Sequence, residues 1–207
     1  MSRQVYGDLP TFFGYFSCLH PYYCLHEEIH DNQQQRRQMM GILTGNQQNE
    51  PLHCGEVFTI WTNLTVNQGF VAAYQTFYNH TGDEDLRKII LDFIDCAKDE
   101  NKELEKILKV NGVGLPPAPP ERPVANLEDI PAGARFNDPE IAAALGMDGA
   151  AGLVSCSEAM GICTREDIAM MYGQFHMKKA QLGAKLLKLV KEKGWLIVPP
   201  PYHQHQG

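Results

Sequence analysis

Five polar side chains, in stretches that are otherwise rich in apolar residues, are the best candidates for chemistry in this sequence. They are His53, Asn67, Gln68, Glu100 and His176. Counted at about 3.6 residues per helical turn, each falls on or near the apolar side of its stretch. A carboxylate, amides and imidazoles that meet in a core can bond to one another, hold a water or ligate one metal ion, which offsets the cost of burying charge. We therefore predict a buried polar cluster, either a hydrogen-bond network or a ligand or metal pocket.

A carboxylate-bridged di-iron centre can be tested directly against the residue spacing. It needs inward glutamates on two helices and a Glu-x-x-His motif on each of the other two. The stretch 83–110 contains no histidine, and His176 has Gly173, not glutamate, three residues before it. The sequence therefore argues against a di-iron oxidase, and we expect no cofactor. The candidates for a single metal ion are Glu100, His176, Asn67 and His53.

Four stretches carry apolar residues at spacings of three and four, which predicts helices with one apolar face each. They are residues 51–79, 83–110, 137–162 and 164–193. Glu50 followed by proline is typical of a helix start, and Asn111-Gly112 of a helix end. Asn137, followed by Asp138-Pro139-Glu140, predicts a cap, a first-turn proline and an acidic first turn for the third helix. Thr164 and Asp167 predict a capping box for the fourth helix. Short turns within each half make two antiparallel hairpins.

The third helix is intrinsically weak. Its Gly146, Gly149, Gly152 and Gly161 each cost about 1 kcal/mol relative to alanine in a helix interior. We therefore expect tertiary packing to support this helix. Its small side chains predict close helix packing, and self-association through this side of the helix is an alternative.

A proline-rich strap, residues 113–136, separates the two hairpins. Its six prolines exclude a continuous helix. Extended, the strap could reach about 70 Å, whereas the neighbouring helices are only about 42 Å long, so it can run from one end of a bundle to the other. The third helix would then be parallel to the second and the fourth to the first, with Asn67, Glu100 and His176 near mid-bundle and His53 nearer one end. This predicts an all-α four-helix bundle with one long crossover, the connectivity of ferritin-like folds.

Composition limits the location and partners of the chain. Its 207 residues include 18 Lys and Arg against 25 Asp and Glu, and this acidic balance argues against a nucleic-acid partner. No apolar run approaches the ~18–20 residues that a membrane span needs, and the N-terminus lacks the layout of a signal peptide. The six cysteines form no Cys-x-x-Cys pair, which favours reduced, buried thiols. We expect a soluble, cytoplasmic protein.

Residues 1–39 differ from the rest, because an aromatic stretch is followed by a polar one without any helical or strand period. One interpretation is that synthesis starts at Met39 or Met40, since Arg36-Arg37 can be encoded as a ribosome-binding sequence. Another is a zinc-binding arm. Its candidate ligands are Cys18, His20, Cys24, His26 and His30. The predicted domains are an extension, 1–39, and a bundle, 40–207.

Several segments after Met40 carry a resemblance: EPLHCGEVFTIW, NGVGLPPAPPERP, IPAGARFNDPEI, REDIAMMYGQFHMKKAQ and KEKGWLIVPPPY. They resemble an uncharacterised family of ferritin-like bundle proteins from endospore-forming bacteria that is similar to spore coat protein F. The resemblance implies the bundle fold and a spore-associated role, and it supplies no catalytic residues.

Two functions follow as hypotheses. The first is a non-catalytic bundle with a structural or interaction role, whose partners are other spore proteins or a second copy of itself. The alternative is a ligand- or metal-binding bundle, or a weak oxidoreductase, that uses Glu100 and His176.

Overall fold

The computed structural model describes residues 50–200, which form an all-α bundle. The helices are α1 (Cys54–His80), α2 (Glu84–Val110), α3 (Asp138–Ile162) and α4 (Glu166–Glu192). No residue in the described range belongs to a strand, and no helix there is long and apolar enough to cross a membrane. The start-site and zinc interpretations concern residues outside this range.

Helix α1 begins one turn later than the sequence predicts, because His53 caps it. The Nδ1 atom of His53 accepts hydrogen bonds from the backbone N–H groups of Gly55 (3.0 Å) and Glu56 (3.3 Å). The carboxylate of Glu56 in turn accepts from the backbone N–H of His53 (3.0 Å). This reciprocal pair satisfies the free donors of the first turn. Pro51 therefore lies before the helix.

The predicted cap of α3 is confirmed. Asn137 Oδ1 accepts from the backbone N–H of Glu140 (3.0 Å), and the Glu140 carboxylate accepts from the backbone N–H of Asn137 (2.9 Å). The predicted end of α2 is also confirmed, since Gly112 has a φ of 71°. That left-handed conformation closes a helix and favours glycine.

The predicted capping box of α4 is wrong. The N-cap residue is Arg165, and its side chain makes no capping bond. The backbone N–H groups of Thr164 and Arg165 instead donate to Glu56 of α1, at 2.8 and 2.9 Å. A carboxylate from another helix thus takes the role that the sequence assigns to a local side chain.

The strap runs the length of α1, as its reach predicts. Near the start of α1, Trp61 Nε1 donates to the carbonyl oxygen of Gly114 (3.0 Å). Near its end, Asn79 accepts from the backbone N–H of Ala125 and donates to the carbonyl oxygen of Pro123, both at 3.0 Å. The strap therefore carries the chain from one end of the bundle to the other.

The helix directions follow from the two ends of the bundle. At one end, Thr81, just before α2, donates to Asp138 at the start of α3 (2.7 Å). At the other, Glu56 in the first turn of α1 bonds to Thr164 and Arg165 just before α4. Helix α3 is therefore parallel to α2, and α4 is parallel to α1.

The core consists of two apolar halves. The half near the α1–α2 turn includes Tyr74, Leu86, Ile90, Phe93, Ile141, Leu145, Leu182 and Leu186. The half near the α3–α4 turn includes Ile60, Leu64, Leu104, Leu108, Ala159, Ile168, Tyr172 and Phe175. Between these sets, α1, α2 and α4 contribute Asn67, Glu100 and Lys179. The bundle is thus divided by a polar layer.

Candidate functional site

The polar layer at mid-bundle is centred on the carboxylate of Glu100, which is 1% exposed. Asn67 Nδ2 donates to Glu100 Oε2 at 2.8 Å. Lys179 Nζ contacts both carboxylate oxygens, Oε1 at 2.7 Å and Oε2 at 2.6 Å. Cys96 Sγ donates to Oε1 at 3.7 Å. Three helices therefore deliver hydrogen-bond donors to one buried acid.

Helical spacing explains why these side chains point inward. Glu100 lies three residues after the buried Ala97 and four before the buried Leu104. Lys179 lies four residues after Phe175 and three before Leu182, both buried. Residues three and four apart share a helix face. Both charged groups are therefore placed on the core side by the apolar stripe around them.

The Lys179–Glu100 ion pair is largely removed from water. The Lys179 side chain is 16% exposed and the Glu100 side chain 2%. A buried carboxylate is strongly unfavourable unless it is paired and hydrogen-bonded. Burial and the nearby Glu100 charge raise the pKa of the Cys96 thiol to about 11, so the thiol keeps the proton that it donates. Asn67, Cys96 and Lys179 thus each bond to the Glu100 carboxylate.

Gly152 of α3 gives the Lys179 side chain its room. A Cβ atom at this position would lie 2.9 Å from Lys179 Cδ, closer than packed carbon atoms approach. The sequence predicts that glycine allows close helix packing here. In the structure, the group that packs against Gly152 is the aliphatic stem of Lys179. The glycine at this position of α3 therefore leaves space for the lysine of the ion pair.

A cavity of about 30 Å³ lies beside the ion pair, and Asn67, Tyr74, Asp148 and Lys179 contribute to its lining. Burial raises the pKa of Asp148. Burial, with the charges of Asp148 and Glu100, raises the pKa of Tyr74 far above its usual range. The cavity is mostly apolar with a few polar groups in its wall, and it has room for a water or another molecule of two or three atoms.

The five residues predicted from the sequence are only partly brought together. Asn67 and Glu100 meet, as expected. His176 is half-buried on α4, and within residues 50–200 no hydrogen bond joins it to Glu100. His53 caps α1 at the end of the bundle. Gln68 is buried, and its Oε1 has no hydrogen-bond partner among the described residues.

Lys179 is the central residue that sequence reasoning missed. Lysines of an amphipathic helix usually lie on its solvated face. The available signal was position, because Lys179 stands on the apolar stripe at the height of the predicted buried glutamate. A lysine can lie there because its long stem packs against apolar surface and carries the charge to a partner.

A metal ion finds little support in this arrangement. Across residues 50–200, no group of three or more His, Cys, Asp or Glu side chains converges so as to hold an ion. The Lys179 ammonium occupies the side of Glu100 where a cation would otherwise balance its charge. The proposal of a metal site at Glu100, His176, Asn67 and His53 would require Lys179 to move away.

A second buried carboxylate, Glu56, joins the start of α1 to the α3–α4 turn. It is fully buried. Its Oε1 accepts from the backbone N–H groups of Thr164 (2.8 Å) and Arg165 (2.9 Å), and its Oε2 from that of His53 (3.0 Å). Burial raises the pKa of Glu56, but these hydrogen bonds outweigh it and leave the pKa below its usual range. The network binds two elements that are far apart in sequence.

Known proteins share both the sequence and the fold. The profile of a family of proteins of unknown function, DUF3231, matches residues 40–207. A Bacillus subtilis (strain 168) protein, uncharacterized protein YvdQ, is 57% identical over 164 residues, which cover 79% of this chain and 96% of that protein.

A crystal structure from Bacillus halodurans C-125, described as a "putative spore coat protein", is 60% identical with a TM-score of 0.74. The match covers 77% of this chain and 99% of that one. The predicted resemblance to an uncharacterised family of spore-forming bacteria is confirmed, and the chain belongs to the DUF3231 family.

Proposed function

We propose that this protein is a non-catalytic bundle with a structural or interaction role in the spore. The observation that carries the proposal is the 60% identity to the Bacillus halodurans protein described as a "putative spore coat protein", in a match that covers 99% of that chain. The polar layer supports a structural role, because the oxygens of Glu100 are already occupied by Asn67, Lys179 and Cys96. A saturated carboxylate has no lone pair free for a substrate.

The outer face of α3 offers a surface for a partner. Met147 and Val154 are 69% and 68% exposed. They lie seven residues apart, which places them on one face of the helix. Exposed apolar side chains that share a helix face are typical of an interaction surface. We infer that this face contacts other spore proteins or a second copy of the chain.

Fractionation of spores tests the proposal. A tagged protein expressed from its own promoter should appear during sporulation and be extracted with the coat proteins of purified spores. The double variant Met147→Ser/Val154→Ser should fold normally and be recovered at least several-fold less in that fraction, because it loses apolar contact area. Val110→Ser, at an 80% exposed position at the end of α2, is the matched control and should behave as wild type.

The same experiment has a clear negative outcome. Protein found only in vegetative cells, or absent from the coat extract, would contradict the spore role. Equal recovery of the double variant and wild type would contradict the α3 surface while leaving the spore role standing.

A further inference from the structure

The polar layer contains the three kinds of side chain that are needed to form an amide bond between a lysine and an asparagine. Lys179 supplies an amine, Asn67 a carboxamide, and Glu100 a proton acceptor between them. The same oxygen, Glu100 Oε2, is 2.6 Å from Lys179 Nζ and 2.8 Å from Asn67 Nδ2. We propose that Lys179 and Asn67 join in an intramolecular isopeptide bond that links α4 to α1.

The reaction balances without any further reagent. Glu100 takes a proton from the Lys179 ammonium, which leaves Nζ with a free electron pair. Nζ then attacks Cγ of Asn67 to form the new C–N bond, and Glu100 delivers its proton to Nδ2. The Cγ–Nδ2 bond breaks, and the nitrogen leaves as ammonia. Nζ then gives up a second proton, and the ammonia takes up this proton to become ammonium. One ammonium is consumed and one is released, and nothing is oxidised or reduced.

The contact between Lys179 and Glu100 provides the path for the proton transfer that starts this sequence. Lys179 Nζ lies 2.7 and 2.6 Å from the two carboxylate oxygens, and Glu100 is 1% exposed. A carboxylate at hydrogen-bond distance can act as a general base toward the amine. The neutral amine is the nucleophilic form of lysine.

Packing favours the attack itself. The three groups are carried by rigid helices, and Gly152 lets the Lys179 stem pass close to α3. Holding reactants in place in this way can supply effective concentrations of about 10⁵ M or more. The cavity of about 30 Å³, lined in part by Asn67 and Lys179, gives the departing ammonia a space of its own size. Glu100 would act as the catalytic residue of this self-modification.

Mass spectrometry of the intact protein tests the proposal. The wild-type chain should weigh about 17 Da less than its sequence requires, the mass of one ammonia lost as the bond forms. Digestion with trypsin should yield one branched peptide that contains both Asn67 and Lys179. Lys179→Arg, which keeps a cation for Glu100, should have the full mass of its own sequence and no branched peptide. Lys185→Arg, at an exposed lysine of the same helix, should still show the loss.

A second variant assigns the role of Glu100. Glu100→Gln keeps both reacting groups but removes the proton acceptor, so the chain should retain its full mass. A branched peptide in this variant would contradict the role of Glu100. Full mass and separate peptides in the wild type would overturn the isopeptide proposal altogether, and would leave the proposed spore role unaffected.

Discussion

Relative to wild-type chains in which Lys179 is not joined to Asn67, replacing Lys179 with methionine is expected to lower the free energy of unfolding by about 3–5 kcal/mol, because it leaves Glu100 buried without its cation. Methionine keeps most of the lysine stem, so packing against Gly152 changes little. Chemical unfolding followed by circular dichroism measures the loss. The matched control is Lys185→Met, whose partner Asp92 is well exposed. That variant should change the free energy of unfolding by less than about 1 kcal/mol.

A double variant separates the charge effect from general damage. In Lys179→Met/Glu100→Gln the buried group is neutral, and its amide oxygen can still accept from Asn67. We expect most of the stability lost in the single variant to return, since removing both charges of a buried pair is far less costly than removing one. A single variant as stable as wild type would show that Lys179 does not pair with Glu100.

Replacing Glu56 with glutamine is expected to destabilise the bundle by about 2–4 kcal/mol. The carboxylate accepts hydrogen bonds at both oxygens, from Thr164 and Arg165 on one side and His53 on the other. Glutamine has one oxygen, so its NH₂ group must face a backbone N–H on one of these sides. Unfolding in urea at neutral pH measures the effect. Glu128→Gln, at an exposed glutamate of the strap, is the control and should be near neutral.

The same residue makes stability depend on pH. The folded-state pKa of Glu56 lies below its usual range, because hydrogen bonds to the charged form outweigh the opposing effect of burial. Its contribution is therefore present above the unfolded-state pKa of about 4.3 and is lost as the pH falls through the lower folded-state value. The difference in stability between wild type and Glu56→Gln should shrink on acidification below pH ~4.3. A difference that stays constant would contradict the low pKa.

The topology could be predicted because it depends on chain length and turn chemistry. The strap is long enough to cross the bundle, and Asn137, Gly112 and the short turns fix where helices begin and end. The prediction from local sequence was wrong where a side chain far away in the sequence makes the capping hydrogen bonds. The start of α4 carries a capping pattern at Thr164 and Asp167, yet Glu56, 108 residues before Thr164, satisfies its backbone.

Prediction of the candidate site from the sequence was limited in the same way. Helical counting placed Asn67 and Glu100 together because both lie on apolar stripes. It included His176 and left Lys179 out, because histidine is the usual ligand and lysine the usual surface residue. The rotation of α4 decides between two positions one turn apart, and that rotation depends on packing against Gly152 and its neighbours, which periodicity alone does not define.

Lys179 and Asn67 bond to Glu100 as a permanent part of the protein's structure. A crystal structure of aerobically purified protein, with anomalous data collected at metal absorption edges, tests this assignment. We predict Lys179 Nζ within about 3 Å of a Glu100 oxygen, whether or not Nζ is joined to Asn67 Cγ, and no anomalous peak in the layer. A metal ion bound by Glu100 and His176, with Lys179 turned away, would contradict the account.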